Sequence, residues 1–483
     1  MISFDFGQDF LKKQEEPDLS LQEALLRKIK KEGVAVCGLG KANLPLLEWL
    51  YVRGIRHIEA RDKKRPAELS SHPILSAEGV TLLTGEGYLE GLTAGVIFRS
   101  PSLRPDTPAL SEAARRGALI LTEAALSSLL CPAKLFTVTG SDGKTTVTML
   151  SGAILRAAGR RCFVGGNIGT PLLPFIDLMR GEDAAVMELS SFQLMDLCPM
   201  SSGAALTSFS ENHLDWHLDL KEYEEAKLHG LLHAARAILP AECPLTEKIL
   251  DRRPAVLFSA KQPLAALKRK WGKGPFVFLE GDTVFYEENG QRLPLFSKDA
   301  LTLSGLYNLE NAMCAAALCI EDATPAVIEG AIRAFRGAPH RCELIGCFRG
   351  IKCYDSSIDT TPTRSASTLS SFQKKPIVLC GGRGKKLSPK PLVEALIGGA
   401  KAAVFYGEIA PSLMAAVKEH PLYDRKKLPL LYEPLFDEAV KGALGLCQEG
   451  DCLLLSPAAT AFDQFKNYEE RGRRFAALCH TLS

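Results

Sequence analysis

A chain of 483 residues is too long for a single hydrophobic core and suggests about three domains. Its 58 basic and 56 acidic residues leave a net charge of +2, which gives no support for a nucleic-acid or membrane-surface partner. No uninterrupted apolar run reaches spanning length, so no transmembrane helix is predicted. The N-terminal MISFDFGQDFLKKQEEPDL is acidic and broken by charge, unlike a signal peptide. The 14 cysteines are scattered singly from Cys37 to Cys479 with no C-x-x-C pair, so reduced thiols in the cytoplasm are expected and the spacing for zinc is lacking. Most of them are expected to be small core residues.

In chain order, Gly33–Cys37 reads as a strand running into Gly38, Leu39 and Gly40. Helical periodicity follows from Leu44 to Tyr51, then a second strand over Ile55–Ala60 with Asp62 at its end. This is half of a Rossmann-like unit. GLGKAN lacks the third glycine of G-x-G-x-x-G, so the turn either serves a nucleotide diphosphate or is simply a tight strand–helix connection. A strand at Gly95–Phe98 leads into SPSLRP, and Leu119–Leu121 leads into Thr122 and Glu123. The first domain is expected to end near Cys131.

The stretch LFTVTGSDGKTT, Leu135–Thr146, organises the chain. Leu135, Phe136 and Val138 have strand character, and Val147, Leu150, Ile154 and Leu155 have helical spacing. Between them lie Gly140, Ser141, Asp142, Gly143, Lys144, Thr145 and Thr146. Strand, glycine loop and helix N-terminus together make an anion site, because backbone N–H groups can approach phosphate and the helix dipole favours negative charge. Lys144 would reach the outer phosphates and the Thr145 hydroxyl would take a position on Mg²⁺. The loop has two residues between its glycines where the common P-loop has four.

A glycine turn follows at Gly165–Gly169, then a buried strand at Ala184–Met187 ending on Glu188 and ELSSFQL. A carboxylate at a strand end beside a phosphate loop is well placed to hold Mg²⁺; the alternative is a surface glutamate. Gly203–Thr207 runs into Asn212, His213, Leu214 and Asp215, where His213 is either a metal or phosphate ligand or a structural histidine. Leu220–Ala237 is helical and carries Lys227; most lysines on such a helix are solvated charges. Asn308 and Asn311 share one face of the helix through Leu318 and either bond a base or ribose or cap the helix. The break FRGAPHR, Phe335–Arg341, marks a second boundary. Beyond it, strands at Lys352–Tyr354, Ile377–Cys380, Ala402–Tyr406 and Cys452–Leu455 feed glycine or hydroxyl loops and then helices, an α/β pattern with a doubly wound parallel sheet.

The run TGSDGKTT, GGNIGTP, ELSSFQL, NHLDWH with EEAK, GLYNLENA, FRGAPHR and SPAATAFDQFKNYEERG resembles the Mur ligases of peptidoglycan synthesis. The resemblance spans nearly the whole chain and is weakest in the first domain and in the loops expected between Pro240 and Leu301. It implies three α/β domains: a Rossmann-like UDP-substrate domain over 1–131, a central P-loop-type ATPase over 132–337, and a C-terminal amino-acid-binding domain over 338–483. ELSSFQL and SPAATAFDQFKNYEERG mark the branch that joins D-glutamate to UDP-N-acetylmuramoyl-L-alanine through an acyl phosphate formed from ATP. A monomer is implied.

The resemblance assigns the phosphate loop, Asn308, Asn311, Arg341 and Asp355 to ATP, and Lys144, Glu188, His213 and Lys227 to catalysis. It assigns two Mg²⁺ ions to Thr145, Glu188, His213 and a carbamylated Lys227. Gly38, Leu39, Gly40, Asp62, Asn167, Ser190 and Gln193 are assigned to substrate binding, Asn167 touching substrate or phosphates. Thr360, Lys385 or Lys386, Thr460 and Tyr468 remain for D-glutamate, with Thr361 as a further candidate. The chain departs from the family at Tyr307 (usually histidine), in Asp355–Thr360 (no lysine or asparagine), at Ala461 (usually serine) and in GLGKAN. Folylpolyglutamate synthetase shares the ATPase but usually lacks the N-terminal domain. A Rossmann oxidoreductase would leave TGSDGKTT, Glu188 and His213 unexplained, and a silent binding homologue would not need Lys144, Thr145, Glu188, His213 and Lys227 together.

Overall fold

The computed structural model describes residues 20–69, 72–214, 216–302, 305–385 and 387–481. The charged N-terminal leader, Asp215 of NHLDWH and Lys386 lie outside the described residues. Three sheets carry the architecture. The first contains β1 (Val34–Cys37), β2 (Ile58–Asp62), β3 (Val80–Thr84), β4 (Val96–Arg99) and β5 (Leu119–Leu121) in the order β3-β2-β1-β4-β5, all parallel. The order reverses beside β1, so its C-terminal end, at Gly38, is the switch point where parallel α/β sheets bind ligands.

The central sheet has nine strands. These are β6 (Lys134–Thr139), β7 (Cys162–Gly166), β8 (Ala184–Glu188), β9 (Gly203–Leu206), β10 (Ala237–Pro240), β11 (Ala255–Ser259), β12 (Phe276–Glu280), β13 (Thr283–Glu288) and β14 (Gln291–Ser297). Their order is β14-β13-β12-β11-β10-β9-β6-β8-β7, with β6 between β8 and β9 and β13 antiparallel to both its neighbours, β12 and β14. The helix expected to run to Ala237 stops at Leu232. Ala235 N–H bonds the Ser201 carbonyl, and Ala237–Pro240 pairs with β9 and β11, so sheet pairing overrides the helical propensity of the alanines. One core joins Val34, Val36, Leu46 and Phe98 of the first module to Leu135, Leu173, Ala185 and Met187 of the central one.

The third sheet runs β15-β16-β20-β17-β18-β19, made of β15 (Glu343–Phe348), β16 (Ile351–Asp355), β17 (Ile377–Gly381), β18 (Ala402–Tyr406), β19 (Leu430–Tyr432) and β20 (Cys452–Ala458). It is parallel except for β15. Ile377, Leu379, Val404, Leu453 and Leu455 fill a core on one face, and Val378, Cys380, Ala403, Phe405 and Leu454 fill a second core on the other. Burial on both faces is why these strands read as continuous apolar runs.

By packing, the chain forms two compact units. One holds the first two sheets together with Glu310–Arg333; the other holds Leu301–Leu309 and the third sheet. All 14 cysteines are free thiols, and among the described residues no helix is long and apolar enough to cross a membrane.

Candidate active site

The phosphate loop joins β6 to the Lys144–Ala157 helix. Gly140 has φ +145° and Gly143, the N-cap of that helix, has φ +81°. A side chain at Gly140 would collide with the Thr207 hydroxyl, and one at Gly143 with the Asn311 amide oxygen. Both positions therefore need glycine on conformational and on steric grounds. The loop is clamped from below by strand-end groups. Ser141 N–H bonds the Ser208 carbonyl at 2.9 Å, Asp142 N–H bonds Ser208 Oγ at 2.9 Å, and the Thr207 hydroxyl donates to the Asp142 carbonyl.

Around this loop the fold gathers residues from four elements. Thr145 Oγ1 donates to Glu188 Oε2 at 2.8 Å, and Asn167 Nδ2 to Glu188 Oε1 at 3.1 Å. Glu188 is buried at the end of β8, so the surface-glutamate alternative falls. Lys144 Nζ lies over the loop, 2.9 Å from the Gly140 carbonyl and 2.8 Å from that of Ser141. Lys227 projects inward from the Leu220–Leu232 helix and is only 2% exposed, which overturns the surface-lysine alternative. Its Nζ donates to the Gly140 carbonyl at 2.7 Å and to Thr139 Oγ1 at 3.2 Å. Burial and then the nearby Lys144 ammonium hold the Lys227 amine well below its ordinary pKa.

Tyr223 was not singled out by sequence and belongs to the same cluster. Its hydroxyl is 2.8 Å from Ser141 Oγ and its ring lies 5.3 Å from Lys227 Nζ. The signal was its position four residues before Lys227, on the same helical face. His213 is exposed, has φ +56°, and sets its ring edge-on to Phe192 at 4.9 Å. Asn311 sits against Gly143, and Asn308, also buried, is one turn earlier on the Leu306–Cys319 helix.

At the first sheet's switch point, Asp62 Oδ2 accepts the Leu39 N–H at 2.6 Å, and Asn43 Nδ2 donates to the Gly38 carbonyl at 2.8 Å. Asp62 therefore holds the Gly38–Gly40 turn in shape. Ser190 and Gln193 form a reciprocal capping box on the Ser191–Leu194 turn, where the Ser190 hydroxyl donates to Gln193 Oε1 at 2.9 Å.

In the second unit, strand-end residues of the third sheet gather in the same way. Asp355 is buried at the end of β16 and bonds His340 Nδ1 at 2.7 Å and Ser357 N–H at 2.8 Å. His340, next to Arg341, was missed by sequence. It takes φ +61°, its imidazole pKa is raised by Asp355, and the Tyr468 ring stands edge-on to it at 6.0 Å. Lys385 Nζ donates to Thr360 Oγ1 at 3.1 Å, so two of the expected amino-acid contacts are brought together. Burial and Arg364 lower the Lys385 pKa. Thr460 turns its hydroxyl to the Arg383 carbonyl at 2.8 Å, and Ala461 beside it is buried.

A glycine loop between a central strand and a helix, backed by a buried carboxylate and a buried lysine, defines a P-loop-type nucleotide-binding protein. A sequence profile of the Mur ligase middle domain matches residues 138–319. The UDP-N-acetylmuramoylalanine–D-glutamate ligase of Ruminiclostridium cellulolyticum is 34% identical over 468 residues, covering 95% of this chain and 99% of that one. That of Clostridium novyi is 35% identical, covering 94% and 98%. Among solved structures, Thermotoga maritima UDP-N-acetylmuramate–alanine ligase MurC superposes with a TM-score of 0.55 at 16% identity, over 93% of this chain and 99% of that one. T. maritima MurF ligase in complex with ADP gives a TM-score of 0.52 at 15% identity, over 94% and 96%. The chain belongs to the Mur ligase family, in its UDP-N-acetylmuramoylalanine–D-glutamate ligase branch.

Proposed function

We propose that this chain is an ATP-dependent amide ligase that adds D-glutamate to UDP-N-acetylmuramoyl-L-alanine in cytoplasmic peptidoglycan precursor synthesis, acting as a monomer. The observation that carries the reading is the convergence of Lys144, Thr145, Glu188 and buried Lys227 on one phosphate loop. Identity of about one third to relatives of that name, over almost their whole length, supports the substrates. On this reading residues 1–131 bind the UDP substrate, 132–337 bind ATP and 338–483 bind the amino acid, with one sheet for each task.

An oxygen of the L-alanyl carboxylate attacks the γ-phosphorus, the bond to the β,γ-bridging oxygen breaks, and ADP leaves an acyl phosphate. The neutral amine of D-glutamate then attacks the acyl carbon, the tetrahedral intermediate expels phosphate, and the surplus ammonium proton passes to solvent. Two anions must meet in the first step. Lys144 and the amides at the helix start, Gly143–Thr146, supply positive charge to the outer phosphates. Arg341, Asp355, Asn308 and Asn311 serve the rest of the nucleotide. Gly38, Leu39, Gly40 and Asp62 hold the UDP group, Asn167, Ser190 and Gln193 the far end of the same substrate, and Thr360, Lys385, Thr460 and Tyr468 the D-glutamate.

The donor set suits Mg²⁺: a hydroxyl, a carboxylate and an amide oxygen are hard ligands, and buried Glu188 is hydrogen-bonded by the neutral Thr145 hydroxyl and Asn167 amide. Thr145 and Glu188 would hold one ion, and His213 with a carbamylated Lys227 a second; bound there, the ions supply charge neutralisation. Carbamylation joins the Lys227 nitrogen to the carbon of CO₂ with loss of one proton to solvent, and requires a neutral amine. Burial beside Lys144 favours that form. The test is phosphate release with ATP, Mg²⁺ and UDP-N-acetylmuramoyl-L-alanine against a panel of D- and L-amino acids. Release stimulated by D-glutamate alone is expected. Stimulation by L-glutamate with a folate acceptor would overturn the reading in favour of a folylpolyglutamate synthetase.

A further inference from the structure

SPSLRP, the loop after β4, carries chemistry that neither the phosphate loop nor the UDP turn uses. It belongs to the first sheet: Ser100 N–H bonds the Cys37 carbonyl at 2.7 Å, and the Ser100 side chain fills the space beside Gly38. Two arginines serve it, Arg99 just before the loop and Arg104 within it. Arg99, fully buried, forks onto Asp196 at 2.7 and 2.8 Å and donates to the Phe192 carbonyl at 3.1 Å. Arg104 forks onto Glu222 at 2.8 and 3.0 Å, donates to the Trp216 carbonyl at 2.7 Å, and also pairs with Asp106. Trp216 returns a bond from Nε1 to the Ser102 carbonyl at 3.1 Å.

Glu222 passes the contact inward. Its carboxylate lies 3.0 Å from His217 Nδ1, and His217 Nε2 lies 2.9 Å from Ser191 Oγ. His217 and Ser191 are both buried. Ser191 opens the short Ser191–Leu194 turn, three residues after Glu188; Phe192 follows it within the turn, and Asp196 lies two residues beyond the turn's other end. Glu222 lies in the first turn of the helix that carries Lys227. The turn behind Glu188 is thus tied at both ends to one strand and loop of the first sheet.

We propose that Arg99 and Arg104 are positioning residues that couple occupancy of the UDP-substrate edge to the placement of Glu188 and Lys227 at the phosphate loop. The proposal rests on the ligand assignment above. UDP-substrate seated on Gly38–Gly40 presses on the loop that bears Arg104, and through Glu222, His217 and Ser191 it selects one position of the turn behind Glu188. By linkage, nucleotide with Mg²⁺ must then tighten the UDP substrate by the same factor.

The test uses the whole protein without turnover. The Kd of a non-hydrolysable ATP analogue with Mg²⁺ is measured by calorimetry with and without saturating UDP-N-acetylmuramoyl-L-alanine. The wild type is expected to show coupling of roughly fivefold or more. Arg104→Met is expected to bind each ligand alone with the coupling factor near one, and Arg104→Lys to recover part of it. Arg99 is unsuitable as the first variant, because stripping one partner from a buried ion pair is strongly destabilising. Glu222→Gln, which keeps the side chain's size, is the second variant and is expected to lose coupling too. A merely structural relay would lower the melting temperature and leave the coupling factor at its wild-type value, and that result overturns the proposal. A wild type without coupling overturns it as well, while D-glutamate ligation by the same preparation leaves the functional assignment standing.

Discussion

The phosphate-loop edge of the central sheet and the strand-end loops of the third sheet do different work with different materials. At the first, the groups that matter are backbone or are buried: two glycines with positive φ, a carboxylate at the end of β8, and a lysine that reaches a loop carbonyl. At the second they are side chains on loops, such as Thr360 and Lys385, joined by one hydrogen bond, and Tyr468 at the start of the last helix. Phosphate is the same in every Mur ligase, so its site can be built into the scaffold. On the proposed reading the second edge takes the amino acid, which differs between branches, and a loop can change partners without disturbing a sheet.

Four variants can break or sharpen that contrast. Lys144→Ala should cost the most: ligation falls by about three or more powers of ten while circular dichroism and melting stay near wild type, because the lost charge acts on the transferring phosphoryl group. A folded mutant with near-normal turnover would remove the phosphate loop from the chemistry. Lys227→Ala should follow, with activity nearly abolished and partly restored by short carboxylic acids in excess, which replace the carbamate. Full activity without rescue would return Lys227 to a packing role. Thr360→Val or Lys385→Ala should raise the KM for D-glutamate by roughly tenfold, the worth of a hydrogen bond to a charged group, with little change in the KM for ATP. A shift confined to the UDP substrate would put the amino-acid pocket elsewhere.

The smallest effect concerns pH. Burial pushes the Glu222 carboxyl up, but hydrogen bonds from Arg104, Leu218 N–H and His217 outweigh it and bring its pKa from 4.5 to about 2. A depressed carboxyl contributes stability above its unfolded pKa and loses it as pH falls through the folded one. The wild type should therefore lose stability progressively from about pH 4.5 toward 2, and Glu222→Gln should show a shallower decline in urea melts over that range. Parallel curves would mean that the relay has no electrostatic share in stability.

Much of the site was legible because its physics is local. A strand, two glycines, a lysine and a hydroxyl in one stretch can make only a few structures, and Leu135–Thr146 forms the expected one. Glu188 was readable as the last residue of an apolar run. Lys227 was not: helical periodicity says nothing of which lysine faces inward, and only the family resemblance singled it out before the helix was seen to bury Tyr223, Ala226, Lys227 and Leu231 on one side. His340, Arg99, Arg104 and His217 were invisible for the same reason, since each acts through a partner distant in sequence. Among strands, β3 was missed because its VTLLT residues are only partly buried at an edge, β7 because its two terminal glycines read as a turn, and β11–β14 because the stretch from Pro240 to Leu301 was read as loops.

On the proposed reading an acyl phosphate links ATP cleavage to amide formation, and oxygen transfer tests this most directly. UDP-N-acetylmuramoyl-L-alanine labelled with ¹⁸O in its terminal carboxylate would be turned over with ATP, Mg²⁺ and D-glutamate, and the released phosphate examined by mass spectrometry. One labelled oxygen in each phosphate is the expected result, because the carboxylate oxygen that attacks the γ-phosphorus leaves with it. Unlabelled phosphate alongside normal amide product would contradict the mechanism.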